Sequence, residues 1–117
     1  MAVVPTRSLS YTVARQACKY YASVVILRFS DRATKDVFDG TDSKEARSIP
    51  KTIWRSARNK LDMLNAAHHL KDLTAARLEK LRADWAGFYS IRVNDQYRIV
   101  FSFADGNADE VRIVDYH

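Results

Sequence analysis

The sequence has few cysteines, glycines and prolines, and it has no long apolar run. It contains a single cysteine, Cys18. An internal disulfide is therefore impossible, and a lone thiol fits a reducing compartment. It has only 3 glycines and 2 prolines, which argues against a low-complexity or disordered chain. No apolar run approaches the roughly 20 residues that a membrane-spanning helix needs. The sequence thus predicts a compact globular protein with no membrane partner.

The length and the hydrophobic content of the chain also indicate a compact globular protein. The chain has 117 residues, of which 47% are hydrophobic, enough to bury one core but not two. Lysine and arginine number 19 against 14 acidic residues, which gives a net charge of +5. A positive excess favours polyanionic partners such as nucleic acid, although many unrelated domains are also basic.

Residues 1–23 differ in composition from the rest. They carry Arg7, Arg15 and Lys19, no acidic residue, and several small polar residues. No continuous apolar core precedes a small-residue cleavage site, so we do not expect a secretory signal. We predict an N-terminal extension over residues 1–23, disordered or helical and dispensable. A functional arm and a start codon placed too far upstream are the alternatives.

The next stretch predicts a strand followed by helices. Residues 24–29 form a β-branched run typical of a buried strand. Residues 34–38 can form a short helix that Gly40 stops. Ser48 can cap a second helix with Pro50 in its first turn.

The second predicted helix has two contrasting faces. Its apolar face combines Ile53, Ala57, Leu61 and Leu64 at helical spacing. A basic stripe of Lys51, Arg55 and Arg58 lies opposite. Such a stripe is either the solvated side of the helix or a surface for RNA phosphates or an acidic partner.

The last third of the chain alternates apolar and polar residues in two strands around Asn94-Asp95. These two residues tolerate the geometry of a tight turn. A two-residue loop would set Arg92 across from Tyr97, whereas a three-residue loop through Gln96 would set it across from Arg98. Asp105, Gly106 and Asn107 mark a second turn before a final short strand.

Several side chains in this region suit the cleavage of an RNA backbone. That reaction needs removal of a 2′-hydroxyl proton, stabilisation of charge on phosphorus, and a proton for the leaving 5′-oxygen. Arg98 fits the second task because its planar fork donates two hydrogen bonds to phosphate. An ion pair with Asp95 or Asp115 is the structural alternative. Asp115, Tyr116 and His117 end the chain with three groups that can hold or move a proton.

Four blocks of sequence carry a family resemblance: RLEKLRADWAG (77–87), YSIRVN (89–94), QYRIVF (96–101) and VDYH (114–117). Together they resemble the HigB, or plasmid-killer, branch of the RelE/ParE toxins of type II toxin–antitoxin systems. The resemblance runs from about residue 24 to residue 117 and implies one domain over that span. The implied fold is α+β, with an N-terminal strand and two helices packed on an antiparallel sheet of about four strands.

The resemblance also implies a site. Arg98, Asp115, Tyr116 and His117 match the family's catalytic positions. Some members place a histidine where this chain has Glu79, which can act as a base but not as a cationic phosphate ligand. Basic residues of the same blocks are expected to contact RNA: Arg77, Lys80, Arg82 and Arg92.

The implied activity is metal-independent cleavage of messenger RNA in the ribosomal A site, with no cofactor, in the cytoplasm. The implied partners are the ribosome and a HigA-type antitoxin with a helix-turn-helix domain, which alone would contact operator DNA. Two other functions remain open on the residues. One is a non-catalytic, ParE-like inhibitor of DNA gyrase, and the other is a basic RNA-binding module. The Asp-Tyr-His end favours the nuclease, because a pure binding module needs no proton-transfer cluster.

Overall fold

The structure, a computed structural model, describes residues 11–12 and 26–115. Two α-helices and six strands form its frame: β1 Tyr11–Thr12, β2 Arg28–Phe29, α1 Arg32–Asp39, α2 Trp54–Ala66, β3 Glu79–Lys80, β4 Phe88–Arg92, β5 Tyr97–Ala104 and β6 Asn107–Asp115. Short 3₁₀ turns lie between them at Ala46–Ser48, Lys51–Ile53, Leu70–Ala76 and Ala83–Trp85.

The strands make one sheet in the order β1-β2-β6-β5-β4-β3. Strands β3 to β6 pair with one another in antiparallel fashion, while β2 runs parallel to β6. The α1 and α2 helices occupy the crossover between β2 and the later strands, so they segregate from the antiparallel part of the sheet. The predicted α+β fold is confirmed, including an N-terminal strand, two helices and a four-stranded antiparallel sheet.

Helix α1 begins where a side chain replaces missing backbone partners. The Asp31 Oδ1 atom accepts a hydrogen bond from the Thr34 backbone N–H at 2.8 Å, which satisfies a free donor of the first turn. Gly40 ends the helix in the left-handed conformation, with φ of 80°, a geometry that glycine adopts without steric cost. The helix predicted at residues 34–38 is confirmed and begins two residues earlier.

The predicted start of the second helix is wrong. Ser48 lies in a 3₁₀ turn, where its hydroxyl donates to the Glu45 carbonyl at 2.7 Å. A second 3₁₀ turn follows Pro50, and the α-helix itself begins only at Trp54. The local hydrogen bond of Ser48 competes with capping. The predicted apolar face is confirmed, since all four of its residues are buried.

The core lies between this helix face and one face of the sheet. Along β5, Ile99 and Phe101 are fully buried against the helices, and each such side chain contributes about 1.5–3 kcal/mol. Because side chains alternate along a strand, Arg98 and Val100 point to the other face. That second face is not part of the core against which α1 and α2 pack, and the 3₁₀ turn Ala83–Trp85 lines a groove on it. We call it the open face, and it holds the candidate site.

The predicted extension is described only at Tyr11–Thr12, which pair antiparallel with Arg28–Phe29 at the edge of the sheet. The other residues of 1–23 lie outside the described part, so the boundary after residue 23 stays a prediction. None of the helices within residues 11–12 and 26–115 combines the length and the hydrophobicity that a membrane span requires.

Candidate active site on the open face of the sheet

The β4–β5 hairpin decides where the arginines lie. The Asn94 Oδ1 atom accepts hydrogen bonds from the backbone N–H groups of Gln96 at 2.9 Å and Tyr97 at 2.7 Å. Val93 N–H donates to the Tyr97 carbonyl at 2.9 Å and closes a three-residue loop. Of the two registers left open by the sequence, the structure therefore has the one that pairs Arg92 with Arg98. Cross-strand partners share a face of the sheet, so both arginines belong to the open face.

Arg98 is buried and firmly oriented. It is only 8% exposed. Its Nε donates to the Ser90 hydroxyl at 2.8 Å, and its Nη2 donates to the Arg77 carbonyl at 2.7 Å. Arg77 has a left-handed φ of 59°, an uncommon conformation for a residue with a side chain. Its carbonyl is one of the hydrogen-bond acceptors of the Arg98 guanidinium. A charged group held by several acceptors has a fixed direction, as phosphate recognition requires.

Glu79 lies beside this guanidinium. Its Oε1 is 3.7 Å from the Arg98 Nη2, and β3 pairs Glu79 with Ser90. The Glu79 side chain is 55% exposed, so a substrate in solution can reach its carboxylate. The arrangement can accept a proton at Glu79 next to a positive charge at Arg98.

A groove continues from Arg98 across the open face. It has a volume of about 350 Å³ and is lined by Leu81, Arg82, Trp85, Val100, Arg112, Val114 and Asp115. Val114 is the strand partner of Arg98, which makes the groove contiguous with the arginine. Asp115 accepts a hydrogen bond from Gln96 Nε2 at 3.0 Å. The structure thus brings Arg82 and Asp115 into one groove beside Arg98 and Glu79.

Tyr116 and His117 lie outside the described residues. Strand β6 ends at Asp115, and these two residues follow it directly in the sequence. Their predicted roles stay predictions.

A second, smaller cavity gathers cations. It measures about 150 Å³ and is lined by Lys60, Arg77, Arg92 and three apolar residues. Arg92 forms an ion pair with Asp95 at the hairpin turn. Among residues 26–115, the Lys60 and Arg77 side chains have no ion-pair partner. We refer to Lys60, Arg77 and Arg92 as the basic cradle.

Other predicted residues lie elsewhere. Lys80 pairs with Tyr89, so alternation places it on the face opposite Glu79. Two of the three side chains in the basic stripe of the second helix form hydrogen bonds within the chain. Lys51 binds Asp42 at 2.9 Å, and Arg58 donates to the Val37 carbonyl at 3.1 Å. Of that stripe, only Arg55 forms no hydrogen bond or ion pair with the described part of the chain, and it is exposed.

His68 and His69 are exposed. In the described part of the chain, no three His, Cys, Asp or Glu residues form a group that could hold a metal.

Sequence reasoning missed Ser90, Trp85 and Arg112. Ser90 is buried and accepts from Arg98, which only the strand register shows. Trp85 is 40% exposed, and Arg112 lies over its ring at 5.9 Å. A tryptophan in the polar 77–87 block was the available signal, since a core residue is not expected there.

A family model described as the RelE-like toxin of the type II toxin–antitoxin system HigB matches residues 27–117. The chain is similar to Toxin HigB-1 of Vibrio cholerae serotype O1, with 38% identity over 85 residues that cover 70% of this chain and 87% of that toxin. An uncharacterised protein of Haemophilus influenzae is 33% identical over 66 residues, which are 54% of this chain and 65% of that protein.

Solved structures show a similar fold. The YoeB–YefM complex from Staphylococcus aureus contains a chain that matches with a TM-score of 0.50 and 24% identity, over 80% of this chain and 97% of that one. The YoeB dimer from the same organism matches with a TM-score of 0.50 and 23% identity, over 81% and 98%. The family match, the identity to Toxin HigB-1 and the α+β architecture agree with one another. The chain therefore belongs to the HigB-like toxins, RelE-like toxins of type II toxin–antitoxin systems that inhibit translation as endonucleases.

Proposed function

We propose that this toxin cleaves messenger RNA on the ribosome without a metal ion, using the open face of its sheet. The observation that carries the proposal is Arg98, a buried guanidinium aimed by Ser90 and the Arg77 carbonyl, with the Glu79 carboxylate 3.7 Å away. A preorganised cation stabilises charge that develops on phosphorus at no further cost of reorganisation. It thereby supplies the positive charge that a metal ion supplies in many other nucleases.

The reaction balances without a cofactor. A base removes the 2′-hydroxyl proton, the 2′-oxygen attacks the adjacent phosphorus, and the bond from phosphorus to the 5′-oxygen breaks. An acid protonates that oxygen, leaving a 2′,3′-cyclic phosphate and a free 5′-hydroxyl. Arg98 binds the non-bridging phosphate oxygens, which carry the growing negative charge.

The proton carriers are drawn from four residues. Glu79 is close enough to Arg98 to act on the same phosphate, and Asp115 lines the adjoining groove. His117 exchanges protons near neutral pH, and Tyr116 has a phenol that can donate a proton. We propose Glu79, Asp115 or His117 as the base, and His117 or Tyr116 as the acid.

The ribosome supplies what this small site lacks. Positioning of the messenger by a second body removes much of the entropic cost of orientation. We propose that Arg77, Arg82 and Arg92 hold RNA phosphates around Arg98, and that Lys80, on the opposite face, contacts RNA outside the cleavage site. The inhibitor of this toxin is its antitoxin, which we propose to be of the HigA type with a helix-turn-helix domain. Operator DNA is then bound only through that antitoxin, and the toxin acts in the cytoplasm.

Primer extension on a defined messenger tests the proposal. We expect new 5′ ends within codons when the native protein is incubated with translating ribosomes, and none without ribosomes. Arg98→Ala and His117→Ala should abolish both these ends and growth inhibition while retaining the native circular dichroism spectrum. An intact messenger together with inhibited DNA supercoiling would instead establish a gyrase-directed toxin, and normal toxicity of both variants would exclude the assigned site.

Metal independence has its own test. Cobalt hexammine replaces magnesium hydrate in RNA structure but offers no open coordination position. We expect cleavage to persist when free magnesium is reduced in its presence, provided that the ribosomes stay assembled in a sucrose gradient. Loss of cleavage on assembled ribosomes, restored by magnesium or manganese, would contradict the proposal.

A further inference from the structure

The groove of the open face contains an aromatic side chain that neither the core nor phosphate binding explains. Trp85 is 40% exposed, and in the described part of the chain the only other exposed large apolar side chain is Met63, at 37%. Exposing a tryptophan forgoes a large hydrophobic gain. An exposed tryptophan that lines a groove beside a candidate active site points to a ligand with an apolar face.

The turn that carries Trp85 has an unusual backbone. Ala83 has a left-handed φ of 57°, and Gly87 closes the segment with φ of 92°. A left-handed residue with a Cβ costs roughly 1–2 kcal/mol. The turn nevertheless places the Trp85 ring edge-on to Phe88, with centroids 5.4 Å apart at 84°. The ring is thus held at a defined angle above the sheet.

A planar cation lies over the ring of Trp85. The guanidinium carbon of Arg112 is 5.9 Å from the centre of the Trp85 ring, and Arg112 is exposed. Unpaired bases stack on guanidinium planes as well as on aromatic rings, so Trp85 and Arg112 can both contact one base.

The surroundings fit a nucleotide and not an apolar peptide. Arg82 and Arg112 line the groove with Trp85, so a stacked base would have two cations near its phosphates. Unpaired bases bind proteins by stacking on aromatic rings and guanidinium planes, while arginine and lysine contact the backbone. The groove runs from this ring to the strand partner of Arg98, which places a base here next to the proposed reacting phosphate.

We propose that Trp85 and Arg112 form a base-stacking site for single-stranded RNA, which holds one nucleobase next to the phosphate bound by Arg98. This site rests on the proposed function, because it positions the same RNA strand. It needs no base-specific hydrogen bond, since every base has a face that can stack.

Tryptophan fluorescence tests the site directly. The chain has 2 tryptophans, and Trp54 is shielded, being 9% exposed with its Nε1 donating to the Ile49 carbonyl at 2.7 Å. The probe is a short single-stranded RNA with 2′-O-methyl sugars, which cannot be cleaved. We expect it to quench the native protein but not Trp85→Phe, which retains only Trp54. An abasic strand of the same length should not quench the native protein.

Affinity variants separate stacking from charge. Stacking of one base corresponds to an affinity loss of about 5- to 150-fold when the ring is removed. We expect that loss for Trp85→Leu, and most of the affinity to remain for Trp85→Phe, which keeps a ring. Met63→Ala, at the other exposed apolar side chain, is the matched control and should bind as the native chain does.

Two results would overturn the stacking site: equal quenching by the abasic strand, or equal quenching in Trp85→Phe. Its failure is distinct from failure of the proposed function. Ribosome-dependent cleavage by a native protein that shows no base-dependent quenching would remove the stacking site alone. Base-dependent quenching without any cleavage would keep the stacking site and remove the nuclease.

Discussion

At Arg98, the shape of the side chain matters as much as its charge. Nε and Nη2 bind two acceptors on different elements, the Ser90 hydroxyl and the Arg77 carbonyl. A lysine ammonium carries the same charge but has no planar fork. We therefore expect Arg98→Lys to be nearly as inactive as Arg98→Ala, with cleavage on ribosomes slowed by about 100- to 1,000-fold. Single-turnover primer extension measures this rate.

Urea denaturation of both Arg98 variants serves as the control. Each should unfold cooperatively, because the substituted side chain lies on the open face and not in the helix-covered core. If the Arg98→Lys variant cleaved messenger RNA within a few-fold of the native rate, position 98 would need only a positive charge.

Ser90 is predicted to act as a positioning residue. Ser90→Ala removes one acceptor from a buried guanidinium, and a hydrogen bond to a charged group contributes about 1.5–3 kcal/mol. We expect cleavage to slow about tenfold or more, with a smaller effect on ribosome binding. Ser102→Ala is the matched control, because Ser102 lies on the neighbouring strand β5 and its hydroxyl donates to the Asp109 carbonyl at 3.3 Å, away from Arg98. Equal rates for the two variants would remove Ser90 from the site.

Prediction from sequence succeeded for Arg98 to the extent that alternation along β5 places it opposite Ile99 and Phe101. It could not identify the acceptors. Ser90 meets Arg98 only in one of two hairpin registers, and the Arg77 carbonyl is a backbone group that depends on a left-handed residue. Trp85 and Arg112 are 27 positions apart in the sequence, and only the sheet brings them together.

Among the elements, the 3₁₀ segment Leu70–Ala76 depends on one carboxylate at its start. Asp72 Oδ2 accepts hydrogen bonds from the backbone N–H groups of His69 and His68, each at 3.1 Å. These two hydrogen bonds lower the pKa of Asp72 below its usual value, and the bond from His69 has the larger effect. The ionised carboxylate therefore stabilises the folded state.

The lowered pKa of Asp72 determines how the stability of the fold changes with pH. Because the folded pKa lies below the unfolded value of about 3.9, the stabilisation is complete above that value and is lost as the pH falls through the folded pKa. We expect Asp72→Asn to lower the urea midpoint at pH 7, and the difference from the native chain to shrink below about pH 4. A difference that stays constant down to pH 2.5 would contradict the assignment.

The elements differ in how well the sequence predicts them. The apolar face of α2 and the alternation in β4 and β5 are strong periodic signals, and both are confirmed. The start of α2 was misplaced because Ser48 and Pro50 can serve a 3₁₀ turn as well as an α-helix. The parallel pairing of β2 with β6 joins residues far apart in the chain, and no local pattern indicates it.

For the molecule as a whole, the first question is whether residues 24–117 fold alone. Strand β2 is held from the other side by β6. Ser30 N–H donates to the Val111 carbonyl at 2.8 Å, Arg28 binds Asp109 through two hydrogen bonds, and Phe29 is fully buried. The described pairing with β1 spans two residues, and a backbone hydrogen bond contributes about 0.5–1.5 kcal/mol. We expect deletion of residues 1–23 to cost about 1–3 kcal/mol.

Urea denaturation and growth inhibition measure the consequence of this deletion. A cooperative transition with retained toxicity is the expected result. Loss of toxicity with an intact transition would reveal a functional arm, and loss of the transition would show that the extension belongs to the folding unit.

The net charge of +5 predicts that binding to the ribosome weakens as salt rises, because bound cations release counterions from RNA.

The basic cradle should contribute part of this dependence, since the Arg77 side chain is exposed there without an ion-pair partner among residues 26–115. Arg77→Gln keeps the backbone carbonyl that holds Arg98, and should reduce the slope of log affinity against log salt by about 1. Arg47→Gln removes the same charge from a pair with Asp42 at 2.9 Å and should leave the slope unchanged. Filter binding to ribosomes between low and physiological salt distinguishes the two. Equal slopes in both variants would mean that the cradle meets no phosphate and that the docking surface lies elsewhere.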